Sequence, residues 1–506
     1  MQQQISLEQI QNFKGKYPKQ LWYLFFSEMW ERFCFYGMRG MLTIFMVDQM
    51  LGLKMDDIVA NKQYGATQAF VYAFTFIGGL FADKILGFRK SLFWGGILMI
   101  AGSCVLAINP SQFFYIGIGF TIVGTGFFKP NISTMVGQLY KEGDKRTDAG
   151  FSLFYAGINL GALLGGYICI AVANGELWQH YIPQHLRWNV AFGFAAIVMA
   201  ISLITFIYTK KSLATIGLQP TSISENKSKK WYEYFVYAGS LLIIPIIIIM
   251  VSKTEYTDYF MYTIGPLTII YLVYELIKLP SNERKKMYAA LAFVFFSIFF
   301  WAFFEQSGGS LSLFAAHNLS NDIGGIHLDP NGVNNSSNSL FVIAFAGLLG
   351  MFWLWLQSKK IEPNSVVKFG IAFLFLAFGF YIFYYLKNLA NDSGITSLGW
   401  FAFGWFIITF GELCLSPIGM SLMTKLSPKK LQGVMMGMWF LASAYGQYVA
   451  GILGANIATD SKNMSNLQSL NIYCAGYKQL AIYALLFGVT IIAISPLLRK
   501  WMREVK

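Results

Sequence analysis

Glu28-Met29-Trp30-Glu31-Arg32-Phe33-Cys34-Phe35-Tyr36-Gly37-Met38-Arg39 places two acids and two arginines inside a run, 21–51, that is otherwise mostly apolar. At about 100° per residue, Glu28, Glu31, Arg32, Phe35 and Arg39 fall on one face of a helix. A soluble helix turns its charges to water and its apolar stripe to a core. Here nearly everything else on the helix is apolar, so the charged face turns inward, toward a cavity or partner charges. An ionised side chain at bilayer depth costs roughly 2.5–3.5 kcal/mol on insertion scales and is seldom kept without a use. The stretch reads as the lining of a polar cavity in a membrane transporter.

The whole chain supports a membrane setting. Its 506 residues are 56% hydrophobic and only 12% charged, against about 25% charge in soluble domains. Apolar spans fall at 21–51, 61–82, 91–108, 112–138, 149–172, 189–208, 232–251, 259–278, 286–315, 337–357, 367–388, 398–425, 430–458 and 477–498. Each is near or above the roughly 20 residues that cross a bilayer, which gives about fourteen helices and puts both termini on one side. With the N-terminus assigned to the cytoplasm, roughly 28 of the 38 Lys and Arg fall inside and about 7 outside. Arg32, Arg39 and Lys129 remain, all within spans. The net charge of +13 is thus a positive-inside bias, and no motif supports nucleic-acid binding. The polar first 20 residues lack a signal-peptide core, so the first helix is expected to direct insertion. Four of the five cysteines (Cys34, Cys104, Cys169, Cys414; not Cys474) fall in spans without CxxC spacing, which argues against a disulfide framework or a metal site. His180, His185, His317 and His327 all fall in loops assigned outside. Any coupling proton is therefore expected on carboxylates.

Further along, Gly79–Lys90 joins two helices through Asp83, Gly87 and the basic pair Arg89-Lys90, suited to a charged latch between helix ends or an ordinary short turn. The fourth span carries Gly124-Thr125-Gly126-Phe127-Phe128-Lys129-Pro130-Asn131. Lys129 is too far from either end to snorkel; it can pair with a carboxylate, bind a substrate carboxylate or lose its proton. In the fifth span Tyr155 and Asn159 share a face. Asn159 offers a donor and an acceptor to a peptide-like group, or to a neighbouring helix. Two apolar spans follow the polar stretch 210–230 and are expected to be a peripheral hairpin. The following span places Glu305 in an aromatic setting (Phe300-Trp301-Ala302-Phe303-Phe304), as a candidate proton carrier. The loop 318–334 is polar and expected to be mobile. Glu412 is another intramembrane acid, beside Pro417, which is expected to break its helix. Trp439 is either a packing residue or a wall of a side-chain pocket.

The motifs Glu28-x-x-Glu31-Arg32-Phe33-x-Phe35-Tyr36, Gly126-Phe127-Phe128-Lys129-Pro130-Asn131 and Phe154-Tyr155-x-x-Ile158-Asn159-x-Gly161 resemble those of the proton-dependent oligopeptide transporter family, bacterial type, within the major facilitator superfamily. Phe35 stands where the family usually has the first of two tyrosines. Asn335-Ser336-Ser337-Asn338-Ser339 resembles the family's Gln-Ser-x-Asn-Pro, with Asn338 retained. The resemblance runs from Trp22 to Gly451. It implies an all-α polytopic fold: an N-terminal six-helix bundle (1–208), a linker and two-helix hairpin (209–285) and a C-terminal six-helix bundle (286–506). It further implies that Arg32 and Lys129 take a peptide carboxylate, Glu412 and Asn338 its amino terminus, and Tyr36, Tyr72 and Asn159 its backbone. Trp439 would line the site, and Glu28, Glu31, Arg39 and Glu305 would serve proton coupling and gating.

The expectation is a monomeric symporter of the inner cell membrane, with both termini cytoplasmic. It would import di- and tripeptides with protons, with no cofactor beyond the proton gradient. Four buried acids against three bases leave at least one carboxylate protonated or waiting for a substrate amine. A same-fold carrier of another small amino-acid-like or anionic solute and a non-transporting peptide sensor are the alternatives. No Ser/His or metal cluster in the spans supports a membrane hydrolase.

Overall fold

In hydrocarbon every backbone N–H and C=O must be satisfied within the segment, so a chain of apolar spans folds as helices. The computed structural model describes residues 6–141, 143–220, 230–428, 431–458 and 464–502. A one-turn helix, Leu7–Gln11, precedes the long elements. These are α1 (Lys19–Val47), α2 (Asp57–Phe81), α3 (Phe88–Ile108), α4 (Pro110–Gln138), α5 (Thr147–Ala173) and α6 (Arg187–Thr209), then α7 (Trp231–Leu242), α8 (Ile244–Ser252) and α9 (Thr254–Ile277). There follow α10 (Ser281–Phe304), α11 (Ser310–Asn318), α12 (Pro330–Ser358), α13 (Ser365–Tyr385), α14 (Leu398–Leu426), α15 (Gln432–Ile457) and α16 (Asn466–Met502). Among the described residues twelve spans are long and apolar enough to cross a membrane. Two more helices are as long: α15, with 26 residues, and α1, with 29. The charges inside α1 set it apart from the twelve.

The chain forms two compact units. Unit 1 comprises residues 1–45, 49–53 and 70–252; unit 2 comprises 46–48, 54–69 and 253–506. The inserted hairpin contributes α7 and α8 to unit 1 and α9 to unit 2. Its helices are the least covered of the inserted and preceding spans, with 28% and 17% of their apolar windows buried. It is not free of acid, however. At the start of α9, Asp258 accepts a hydrogen bond from the Tyr448 hydroxyl at 2.5 Å, and the Tyr445 hydroxyl donates to the Met261 carbonyl.

Unit 1 is drawn together by small residues. Along α5, Gly157, Gly161 and Gly165 recur every fourth residue and face α1, the small-xxx-small pattern that lets membrane helices approach closely. A Cβ on Gly161 would stand 2.1 Å from the Met29 carbonyl oxygen and 2.9 Å from Arg32 Cβ. A Cβ on Gly165 would meet the Phe33 carbonyl at 2.1 Å. The turn between α2 and α3 is a π-helical stretch, Ala82–Leu86, closed by Gly87 at φ +74°. Only glycine takes this φ without strain. The loop after α6 lies directly on this turn: Arg89 N donates to Gly217 O, and its side chain donates to the carbonyls of Ile216 (2.6 Å) and Ala214 (2.7 Å). On this turn Arg89 thus bonds backbone oxygens and Lys90 pairs with Glu233 at 2.7 Å, while Asp83 is exposed.

Four boundary expectations are corrected. The span expected over 286–315 is not one helix: α10 ends at Phe304, Glu305–Gly308 form a 3₁₀ turn, and α11 restarts at Ser310. The Gly308-Gly309 pair, poor in helix propensity, marks the break. The stretch 318–334, expected to be a mobile loop, is built. It holds a hairpin of β1 (Asp322–Ile323) and β2 (Ile326–His327), and α12 begins at Pro330 with Asp329 accepting from Gly332 N at 2.6 Å. A cap followed by proline at the first helical position is a start signal that outweighs the polarity of Asn331–Ser339. Pro417 does not break its helix, since α14 runs from Leu398 to Leu426. Neighbouring groups in membrane bundles can satisfy the carbonyl that the missing proline N–H leaves free. The last helix begins at Asn466, so Cys474 and Lys478 are helical. Lys429, Lys430, Lys227, Lys229, Lys462, Arg503 and Lys506 of the charge-bias reading lie outside the described residues.

Candidate functional site

In unit 1 the charged face of α1 closes on itself. Arg32 is 1% exposed, and its Nε lies 2.9 Å from Glu28 Oε1 and 2.5 Å from Glu31 Oε2. Both acids are buried as well. One guanidinium therefore faces two carboxylates. The distances are those of ion pairs, but the N–H directions are not those of hydrogen bonds. Arg32 Nη2 and both Glu31 oxygens are buried without a hydrogen-bond partner. Groups in that condition are costly to bury and mark a site rather than a scaffold.

Lys129, from α4, reaches the same neighbourhood. Its Nζ lies 4.3 Å from the centre of the Tyr72 ring and 5.6 Å from that of Phe35, while Arg32 Cζ lies 5.5 Å from Phe35. The Phe35 ring is therefore shared by two cations, whose attraction to an aromatic face needs no hydroxyl. Arg39 stands one turn and more along, over Tyr36 at 5.7 Å. Asn159 is buried, and its Nδ2 donates to Tyr155 O one turn back in α5 at 2.9 Å. The structure thus brings Arg32, Glu28, Glu31, Lys129 and Tyr72 together around Phe35.

Unit 2 holds its acids differently. Glu412, on α14, accepts from Asn338 Nδ2, on α12, at 2.7 Å. The same amide also donates to Thr409 Oγ1 at 3.2 Å, and Thr409 donates to Trp405 O at 2.8 Å. Trp405 is 1% exposed; its Nε1 donates to Asn334 Oδ1 at 3.1 Å. Asn334 Nδ2 in turn donates to Ser307 O at 2.7 Å, within the turn that begins at Glu305. A ladder of neutral hydrogen bonds thus runs from Glu412 to the helix break beside buried Glu305. Trp439 is 7% exposed, and its ring lies against Gly419, where a Cβ would meet Cη2 at 2.1 Å.

Sequence reasoning missed part of this. Asn334, Trp405 and Thr409 are neutral and scattered over two helices; only their shared position between two intramembrane acids gives them away. It also left Asp57 out of the count of buried acids. Asp57 is fully buried in unit 2, accepts from the Tyr473 hydroxyl at 3.0 Å and lies 3.8 Å from His317 Nε2. The signal was an acid at the first turn of a span, where it also serves the helix dipole. No cluster of three or more His, Cys, Asp or Glu suited to a metal occurs among the described residues.

Buried charges on inward helix faces, in an all-α bundle of spanning length, define a membrane transporter of major facilitator type rather than an enzyme. Residues 89–470 match the profile of PTR2, the POT family. The chain is 33% identical to the peptide transporter YePEPT of Yersinia enterocolitica, over 88% of this chain and 89% of that one. It is 32% identical to a di-/tripeptide transporter of Lactococcus lactis, over 85% and 88%. Its fold is similar to a crystal structure of the peptide transporter POT in complex with sulfate, with TM-score 0.81 and 31% identity over 99% of this chain and 100% of that one. A POT family transporter in complex with 5-aminolevulinic acid matches with TM-score 0.80 and 29% identity, over 98% and 100%. The chain belongs to the POT family, as its first, fourth and fifth helices suggested.

Proposed function

We propose that the chain is a proton-coupled symporter of the inner cell membrane that imports di- and tripeptides by alternating access, with both termini cytoplasmic and one chain as the transport unit. The observation that carries the reading is the opposite character of the two sets of buried groups. Unit 1 offers Arg32 with an unfilled Nη2 beside Lys129; unit 2 offers Glu412, fixed by Asn338. A zwitterionic peptide carries a carboxylate, which suits Arg32 and Lys129, and an ammonium, which suits Glu412 and Asn338. Asn159, Tyr36 and Tyr72 meet its backbone, and Trp439 borders its side chains. The names of the Yersinia and Lactococcus relatives agree with this substrate class.

Coupling in this reading is an exchange of partners. Arg39 and Glu305 serve gating, and Glu28 and Glu31 serve proton coupling beside Arg32. A proton on Glu31 or Glu305 releases one pairing and the peptide competes for another, so that each ligand biases the equilibrium between two openings. The orphaned oxygens of Glu31 support its role, because a proton gives that carboxyl a donor of its own. No cofactor enters the cycle. The decisive experiment is uptake of a labelled dipeptide into proteoliposomes with the interior alkaline. Accumulation that follows the pH gradient is expected in the unaltered protein. Glu31→Gln and Glu305→Gln are expected to lose accumulation at least about tenfold while retaining peptide exchange; full accumulation by both defeats the scheme.

One observation favours a second reading. 5-Aminolevulinic acid, held by a relative, carries an amine and a carboxylate without a peptide bond. Competition by that compound stronger than by tripeptides would move the substrate toward small amino-acid-like solutes.

A further inference from the structure

Beyond transport, unit 1 carries a cavity that none of the site residues line. It measures about 510 Å³ and lies between α3, the end of α6 and α7 of the inserted hairpin. That volume falls within the roughly 300–1,000 Å³ of small-molecule sites. Its two ends differ in chemistry. Arg89, Lys90 and Lys210 stand at the mouth, where α3 begins and α6 ends. Phe93 and Trp94 follow along α3, and Tyr237 of α7 also lines the cavity. From Arg89 to Ile97, α3 descends eight residues, about 12 Å at 1.5 Å per residue. Cations therefore sit at the membrane edge and aromatic walls below them.

The walls are ordered by their own contacts. The Trp94 and Tyr237 rings lie 4.9 Å apart, and Trp94 Nε1 donates to Ser240 Oγ at 2.9 Å. The mouth keeps a positive balance. Glu233 neutralises Lys90, but Arg89 spends its donors on the uncharged carbonyls of Ala214 and Ile216, and Lys210 lies 5.9 Å from the Phe93 ring. The cavity also opens outward, since Ile97 and Leu218 on its wall are 36% and 53% exposed. In a membrane bundle that flank meets hydrocarbon.

We propose that this cavity binds one anionic phospholipid, its phosphate beside Lys210 and Arg89 and an acyl chain along Phe93, Trp94 and Tyr237. A soluble anion has no use for the aromatic walls, and a neutral lipid none for the cationic mouth. Basic pockets between helices at a membrane surface are suited to such headgroups. The inserted hairpin gains a role by this inference: α7 supplies Tyr237 and Ser240, so the site exists because the insertion is there.

The test is native mass spectrometry of the purified full chain titrated with phosphatidylglycerol or phosphatidylcholine. Retention of phosphatidylglycerol about fivefold or more above phosphatidylcholine is expected. Lys210→Glu and Lys210→Gln should cut that preference to about twofold or less, and Lys285→Glu, an exposed cation outside the cavity, should leave it intact. Equal retention of both lipids, an unchanged preference in both Lys210 variants, an equal loss in Lys285→Glu, or displacement of the lipid by glycerol phosphate at matched concentration each overturns the proposal. None of these readouts depends on transport, so a failure here leaves the peptide reading untouched.

Discussion

The two units bury carboxylates by opposite means. In unit 1, Glu28 and Glu31 share Arg32, charge against charge, and Arg32 Nη2 and both Glu31 oxygens lack hydrogen bonds. In unit 2, Glu412 is held by the neutral amide of Asn338, and that amide is positioned by Thr409. Charge pairs compensate one another's burial but collapse when one partner is removed. A neutral ladder fixes the geometry of the acid it holds. In the proposed function the first arrangement suits a proton site and the second the recognition of an amine.

The largest expected effect tests the charge-paired half. Arg32→Ala strands two buried carboxylates, and breaking such a pair costs about 3–5 kcal/mol. A large drop in melting temperature in detergent and background-level uptake are both expected; wild-type stability would show that Glu28 and Glu31 do not depend on Arg32. Glu412→Gln comes next. An amide at this position can still meet Asn338, so the melting temperature should stay near wild type while peptide affinity falls about tenfold to a hundredfold. A matching loss of stability would erase the contrast between the units. Thr409→Val removes two hydrogen bonds from the ladder, each worth about 0.5–1.5 kcal/mol, so KM should rise about twofold to tenfold with kcat little changed.

The smallest effect lies outside the spans and isolates an ion pair that water reaches. Hydrogen bonds from Arg146 hold the Asp144 carboxyl below its usual range, with the guanidinium 2.7 Å away and 3.8 Å from the Phe13 ring. A depressed folded-state pKa stabilises above the ordinary carboxylate value, near 4, and that contribution disappears as pH falls through the folded value. The melting-temperature advantage of wild type over Asp144→Asn should therefore be present at pH 7 and shrink on acidification below about pH 4. An advantage that grows in acid would contradict the assignment.

Much of the fold was legible in the sequence, because lipid leaves the backbone few choices: runs of apolar residues had to be helices. The ends were less legible where polar residues continue a helix. Asn331–Asn334 belong to α12 because Asp329 and Pro330 start it early, which hydropathy alone does not register. The break at Glu305 was likewise hidden inside one apolar run. Within the candidate site, charge was the legible signal, so Arg32, Lys129, Glu305 and Glu412 stood out. Asp57 was overlooked because an acid in the first turn of a span resembles a loop residue. Trp405 and Thr409 were overlooked because neutral side chains in apolar helices look like packing until coordinates align them.

The glycine row of α5 has a mechanical consequence. With the backbone oxygens of Met29 and Phe33 seated where side chains would otherwise stand, α1 can neither roll nor slide against α5 without collision. The two form a single rigid beam. Any rearrangement of this unit must flex elsewhere, and the Glu28–Glu31–Arg32 cluster and Asn159 ride on the beam in constant relation to each other.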